Sequence, residues 1–308
     1  MSWFFLALLA PALYAVVNFI DKYLIDKYLS KDKFKQEDVG SLVLFSTSFA
    51  LIVLPLIAFF EPTVFSVKLI PALGMMLNGI IVSGAIILYL HAIEKDEVSV
   101  VMPFFQLIPV FGYGLAILIL NEYLSSAQII SSLIIIVAAM ILSFDLTGEE
   151  IRIRKEVILF AGGSSILYAL TDVIFKKLAI ADGFWVSAFW QYAGVLVAAI
   201  LIFASVKTYR QDFLNVFKRS KKPVIFLNLL GEAIMVTGDL ILRYSFLLAP
   251  IALVMVANVF QPFFVFIYGI FLTIFFPRIY QEKLSRRHLT QKIIAIIIML
   301  AGAYFLYM

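Results

Sequence analysis

Long apolar runs dominate this chain, and polar residues gather in the gaps between them. Ten runs stand out: Trp3–Leu24, Ser41–Phe60, Ile70–Ala92, Val98–Leu120, Ala127–Phe144, Val157–Leu178, Phe184–Val206, Val224–Leu247, Ile251–Phe276 and Gln291–Tyr307. Each is roughly 20 residues long, which as a helix crosses the roughly 30 Å hydrocarbon core of a bilayer. Two boundaries rest on narrow breaks: Glu94-Lys95-Asp96-Glu97, and the tight apolar turn Ala249-Pro250. The alternating segments of about ten residues that build a membrane barrel do not occur. The pattern predicts an all-α membrane protein with ten transmembrane helices.

Composition agrees. The 308 residues are 63% hydrophobic and 14% charged, with a mean hydropathy of +1.04. Soluble domains are about 45–50% apolar and about 25% charged. The polar connections leave no room for a soluble catalytic domain. The start, Met1-Ser2-Trp3, lacks a basic leader region, so the first run is expected to be retained as a span. Trp3, Trp185, Tyr304 and Tyr307 fall near run ends, where amphipathic rings favour the headgroup layer.

A polar stretch, Asp145 to Glu156, divides five runs from five, and the two halves share a pattern. Leu13-Tyr14-Ala15 recurs as Leu167-Tyr168-Ala169, an offset of 154. The same shift carries Asn18 onto Asp172, Lys22 onto Lys176, Asn78 onto Glu232, Ser83 onto Thr237 and Gly84 onto Gly238. A shift of 153 carries Pro109 onto Pro262. Residues 1–148 and 149–308 are therefore expected to form two five-helix repeats. Five is odd, so the second repeat enters the membrane the opposite way round, as inverted transporter repeats do.

Inside the eighth run, Asn228 to Tyr244 carries Glu232, Asp239 and Arg243. One charge at mid-bilayer costs roughly 2.5–3.5 kcal/mol, so such residues usually face a cavity or a partner. Asp239 and Arg243 are one helical turn apart and suit a structural ion pair, although Arg243 could instead contact an anionic substrate. Glu232 has no basic residue within a turn. Desolvation favours the neutral form of a carboxyl, so Glu232 is the first candidate to couple transport to a proton or cation, and Asp172 the second. The blander reading makes Glu232 a hydrogen-bonded structural acid and pairs Asp172 with Lys176. Asn18, Asn78, Gln106 and Arg243 are candidate substrate contacts. Gln191, Tyr192 and Trp190 are plausible cavity liners. Pro109 and Pro262, near the middles of their spans, bend their helices and are candidate gates. Gly112, Gly114 and Gly162-Gly163-Ser164-Ser165 suit close helix packing rather than ligand contact. His91 is a lone histidine near a span end, and no second His or Cys stands near it to make a metal site. No phosphate-binding loop, nucleophile elbow or cofactor motif occurs.

Ten spans as five plus five, a polar residue late in the first span of each half, and a proline in the fourth and ninth spans resemble the drug/metabolite transporter superfamily, EamA-like branch. The phrase Gln106-Leu107-Ile108-Pro109-Val110-Phe111, leading to Asn121-Glu122, is similar to the stretch that closes the fourth span in that family. The resemblance implies a secondary transporter of a small polar metabolite, working by alternating access, with the third and eighth spans at a central cavity. Two alternatives are a nucleotide-sugar or sugar-phosphate exchanger, which needs several cavity cations, and a membrane scaffold or lipid-handling protein. An intramembrane enzyme would need several converging titratable groups.

Charge is one-sided. Of 24 Lys and Arg, only Lys68, Lys176, Lys177 and Arg243 lie in or beside connections that follow even-numbered spans; the other 20 follow odd-numbered ones. The positive-inside rule then places both termini on the non-cytoplasmic side of the cell membrane, opposite to what the family resemblance suggests. Between Lys207 and Lys222 basic residues alternate with Phe213, Leu214 and Phe217 on one helical face. That suits an interfacial helix on anionic lipid rather than a nucleic-acid site.

Overall fold

The computed structural model describes residues 2–28, 36–95, 98–143, 154–219, 222–277 and 286–306. The boundary at 148/149, Tyr307, and the basic positions Lys31, Lys33, Lys35, Arg152, Lys221, Arg278 and Lys283 lie outside the described residues.

In order, the helices are α1 (Ser2–Tyr28), α2 (Gln36–Ser48), α3 (Ala50–Phe60), α4 (Leu69–Lys95), α5 (Val98–Phe105), α6 (Ile108–Leu120) and α7 (Ser126–Ser143). They continue as α8 (Lys155–Asp182), α9 (Phe184–Ser205), α10 (Lys207–Arg219), α11 (Lys222–Ser245), α12 (Ile251–Asn258), α13 (Gln261–Phe275) and α14 (Arg286–Phe305). A 3₁₀ turn, Pro62–Ser66, follows α3. No strand occurs among the described residues. Nine segments of the described chain are long and apolar enough to cross a membrane, and Leu289–Phe305 adds a shorter one. The fold is all-α with about ten membrane helices, as the hydropathy pattern predicts.

The two candidate gating prolines interrupt their helices rather than bending them in place. α5 stops at Phe105 and α12 at Asn258, each four residues before Pro109 and Pro262. A proline ring clashes with the carbonyl four residues back and supplies no amide donor to it. A new helix therefore starts past the clash, with the proline in its first turn, where an amide would lack a partner anyway.

Helices of the first half pack along helices of the second: α1 along α11, α4 along α8 and α9. α7 pairs with α14 at the periphery. Two glycines make the α4–α9 approach possible. A Cβ on Gly79 would lie 2.0 Å from Gln191 O, and one on Gly194 1.9 Å from Met76 O. Gly112 likewise gives way to the Met255 sulfur of α12, while Gly114 and Gly162 face open space. Ser164 and Ser165 donate to carbonyls of neighbouring spans, Ala85 O at 2.8 Å and Phe104 O at 3.1 Å.

Helix α10 lies outside the spans, where the sequence places an interfacial helix, and packs on α2. The Tyr209 ring covers Gly40, and its hydroxyl meets His91 Nε2 at 3.1 Å. Burial, helped by Glu94 and Asp212, holds the Tyr209 hydroxyl above the usual phenol range. His91 Nδ1 in turn sits 2.9 Å from Glu94 Oε2, so the imidazole links Tyr209 of α10 to Glu94 at the end of α4.

Candidate functional site

Successive spans alternate in direction, so each end of the bundle has a fixed membership. We call the end carrying the chain termini the terminal face and the opposite end, with the basic connections, the basic face. The ends of α6, α8 and α11 and the starts of α4, α9 and α12 lie at the terminal face.

Near that face, Arg243 in the last turns of α11 gathers side chains from α8 and α9, and α4 joins them through Gln191. Its Nε donates to Asp239 Oδ2 at 2.8 Å, one turn earlier on the same helix. One terminal nitrogen donates to Gln191 Oε1 of α9 at 3.0 Å. The other lies 3.6 Å from Asp172 Oδ1 of α8. Phe175 presents its ring face 4.9 Å from the guanidinium carbon. Tyr192 donates to Asp239 Oδ2 at 3.2 Å. Asn78 of α4 donates to Gln191 Oε1 and to Thr171 O, each at 3.0 Å. The Asn78 carbonyl oxygen is buried and has no partner. Both halves of the chain thus meet in one buried network.

The structure changes the roles of several expected site residues. Asp239 and Arg243 are the ion pair that their spacing suggests. Asp172 is not a lone acid paired with Lys176, because it faces Arg243. Lys176 instead forms an ion pair with Glu122 at the end of α6 and donates to Ala249 O at 2.7 Å. Glu122 also accepts the Ile251 amide at 2.8 Å, capping the start of α12. One acid so ties α6, α8 and α12 together at the terminal face. Asn18 is exposed and does not hydrogen-bond Asp172. Gln106 reaches Ser143 of α7 at 3.5 Å, away from the network. Trp190 donates its indole N–H to Val64 O at 2.8 Å and anchors the 3₁₀ turn.

Glu232 lies near the middle of α11, half-buried. It accepts a hydrogen bond from Ser46 of α2, and the charge that acts on it is that of Asp21, another acid. Asn228, one turn before it, donates to its own helix at Val224 O, 2.9 Å away. Asp21, in α1, is exposed.

Tyr14 and Tyr168 are not among the residues that the sequence pattern marks as site candidates. The Tyr14 ring rests on Gly238, where a Cβ would lie 2.7 Å from a ring carbon. Asp239, Arg243 and Asp172 act electrostatically on both tyrosines. The recurring Leu-Tyr-Ala triplet was the signal that could have found them. Among the described residues, no group of three or more His, Cys, Asp or Glu is placed to hold a metal ion.

Residues 1–144 match the EamA-like transporter family. The resemblance read from the sequence, to the EamA-like branch of the drug/metabolite transporter superfamily, is borne out over that half. None of the curated proteins matches this chain at a significant level. Among solved structures, one crystal structure superposes with a TM-score of 0.66 at 15% identity, covering 99% of this chain and 95% of that one. That likeness shows the fold alone.

Proposed function

We propose that this chain, whose residues 1–144 match the EamA-like transporter family, is a secondary transporter moving a small polar solute by alternating access between two inverted repeats, residues 1–148 and 149–308. The observation that carries the proposal is the Arg243 network, a buried polar junction between both halves, with Glu232 two turns before Asp239 on α11. Intramembrane ionisable groups are expensive and mark solute or ion paths. The cross-packing of α1 with α11 and of α4 with α8 supports the repeat division, because the first and third spans of each half exchange partners.

The Arg243 network and the Glu122–Lys176 tie close the terminal face. Toward the basic face, Asn18 and Asp21 of α1 are exposed. The conformation therefore suits a carrier closed at the terminal face. The interrupted spans at Pro109 and Pro262 are the gating elements, since loosening the Glu122 cap frees the start of α12. Asn78, with its unpartnered carbonyl oxygen, serves as an acceptor for a solute donor. Glu232 is the coupling group, with one neutral hydrogen-bond donor and no cation to hold it ionised.

An anion exchanger is disfavoured. Its phosphate would need free cations, and all three nitrogens of Arg243 face protein acceptors. Lys176 is committed to Glu122 and Ala249. Flux measurements in proteoliposomes, with inside and outside pH set independently, test the proposal. Saturable solute flux that Asn78→Ala and Glu232→Gln alter supports it. A folded chain that carries no solute across a broad metabolite panel overturns it in favour of a scaffold.

A further inference from the structure

In each half, the connection that follows the second span rests on the second span of the other half. After α3, the Pro62–Ser66 turn sits on α9, where Val64 O takes the Trp190 N–H and the Phe65 ring lies 5.2 Å from that of Phe189. After α9, helix α10 sits on α2. A Cβ on Gly40 would lie 2.8 Å from Tyr209 Cα, so these two backbones touch. At the terminal face a turn of 5 residues makes this contact, whereas the basic face uses a helix of 13. The extra length is not needed for connection alone.

The two sides of α10 differ. An interfacial helix ordinarily buries its apolar side in the bilayer. Here that side is taken by protein. Tyr209 packs against Val39 and Val43 of α2 and Leu90 of α4, and the Phe213 ring lies 6.3 Å from that of Phe203 on α9. Asp212, the single acid between Lys207 and Lys222, is half-buried and acts on Tyr209. Lys207, Arg210, Gln211 and Leu214 recur every three or four residues and so share the other side. Lys207 and Gln211 are exposed, and Leu214 is 42% exposed although its neighbour Phe213 turns inward. Arg210 lies over the Phe203 ring, 6.0 Å from its centre, and reaches Phe203 O at 3.5 Å with one terminal nitrogen. Only Val206 separates α9 from α10, and exposed Lys222 opens α11, so both ends of the helix are tethered to spans at the basic face.

We propose that the outer strip of α10 docks anionic phospholipid, and that lipid held there clamps the basic end of α2. Phosphates sit on Lys207 and Arg210, with Leu214 entering the apolar boundary beneath the headgroups. The charge of the strip is complementary to an anionic leaflet, and the tethers hold it at headgroup level. A helix this short is marginal by itself, so its persistence depends on what holds each of its sides. Lipid on the outer side keeps Tyr209 seated over Gly40 and joined to His91, which fixes α2 against α4.

The test is hydrogen exchange of the full chain in nanodiscs of phosphatidylcholine with a rising share of phosphatidylglycerol. Exchange along residues 207–219 should slow at least about tenfold between pure phosphatidylcholine and a share of about one-third phosphatidylglycerol, and residues 39–43 should slow with it. Salt at about 0.5 M should remove the effect. Combining Lys207→Gln with Arg210→Gln should remove it too, while Lys68→Gln, exposed near the terminal face, leaves it intact. Equal slowing in pure phosphatidylcholine overturns the anionic preference. Slowing by soluble glycerol phosphate in those discs makes the strip a free-phosphate site and overturns the lipid assignment. A response of α10 with none at residues 39–43, or one there that survives Tyr209→Ala, overturns the clamp. No slowing of α10 in any lipid overturns the proposal as a whole and leaves the strip to a soluble acidic protein. If the double variant fails to fold, Lys207→Gln alone and the salt series decide. Exchange is read without solute, so flux in proteoliposomes decides separately whether the chain transports.

Discussion

Gly79 of α4 and Gly194 of α9 meet so closely that neither can carry a side chain. A Cβ on either would sit about 2 Å from a backbone carbonyl oxygen of the other helix. A backbone atom cannot swing aside as a flexible side chain can, so the helices would have to part. Gly194→Ala should therefore lower stability by about 1–3 kcal/mol, the usual range for overpacking. Gly162→Ala, which meets open space, should leave the melting temperature in detergent nearly unchanged or raise it slightly. Equal melting temperatures for the two variants would mean that α4 and α9 do not touch there.

Arg243 balances two carboxylates, so its removal should hurt more than the loss of either acid. Breaking a buried pair by deleting one partner typically costs 3–5 kcal/mol, because the other charge is left unpaired. Arg243→Ala should be the worst single variant in a detergent melting series. Combining Asp239→Ala with Arg243→Ala should cost less than the sum of the two singles. Additive losses would show that the residues do not interact.

Glu122 makes two separable contacts, an ion pair with Lys176 and a cap on the α12 amide. Glu122→Gln keeps an acceptor for the Ile251 amide but loses the charge, and should open the terminal face only partly. Glu122→Ala loses both. With a single cysteine in place of Val254 in this cysteine-free chain, labelling by a membrane-impermeant maleimide should rise from the parent to Glu122→Gln to Glu122→Ala. Equal labelling in all three would remove the Glu122 tie from the gate.

Glu232→Gln mimics the protonated side chain and still accepts from Ser46, so it should fold with a near-parental melting temperature. It should abolish accumulation driven by a pH gradient while leaving counterflow exchange intact. Unchanged dependence on the pH gradient would clear Glu232 of coupling and leave Asp239 or Asp172, both now tied to Arg243, as the acids to test.

Sidedness is open to a direct test by cysteine labelling of intact cells. The charge distribution predicts that Ser2→Cys reacts with an impermeant reagent and that Thr208→Cys, exposed on α10, does not. The reverse pattern would invert the protein in the membrane and restore the arrangement suggested by the family.

Much of this was legible in the sequence because the bilayer leaves few choices. Backbone groups in hydrocarbon must be satisfied within each span, so runs of apolar residues become helices almost regardless of their neighbours. The spacing of Asp239 and Arg243 gave their pair for the same reason: helical geometry alone brings residues one turn apart together. Proline chemistry is equally local, which is why Pro109 and Pro262 marked the interrupted spans. What joins different spans has no such signature. That Asp172 meets Arg243, that Lys176 leaves Asp172 for Glu122, and that Trp190 turns to the 3₁₀ loop depend on which helices become neighbours. So does the close seam between α4 and α9. Gly79 and Gly194 look like any other glycines in a membrane span until the fold sets them face to face. Hydropathy is a property of one segment and its solvent, and the chain carries it residue by residue; the site is a property of pairs of segments, and only packing decides them.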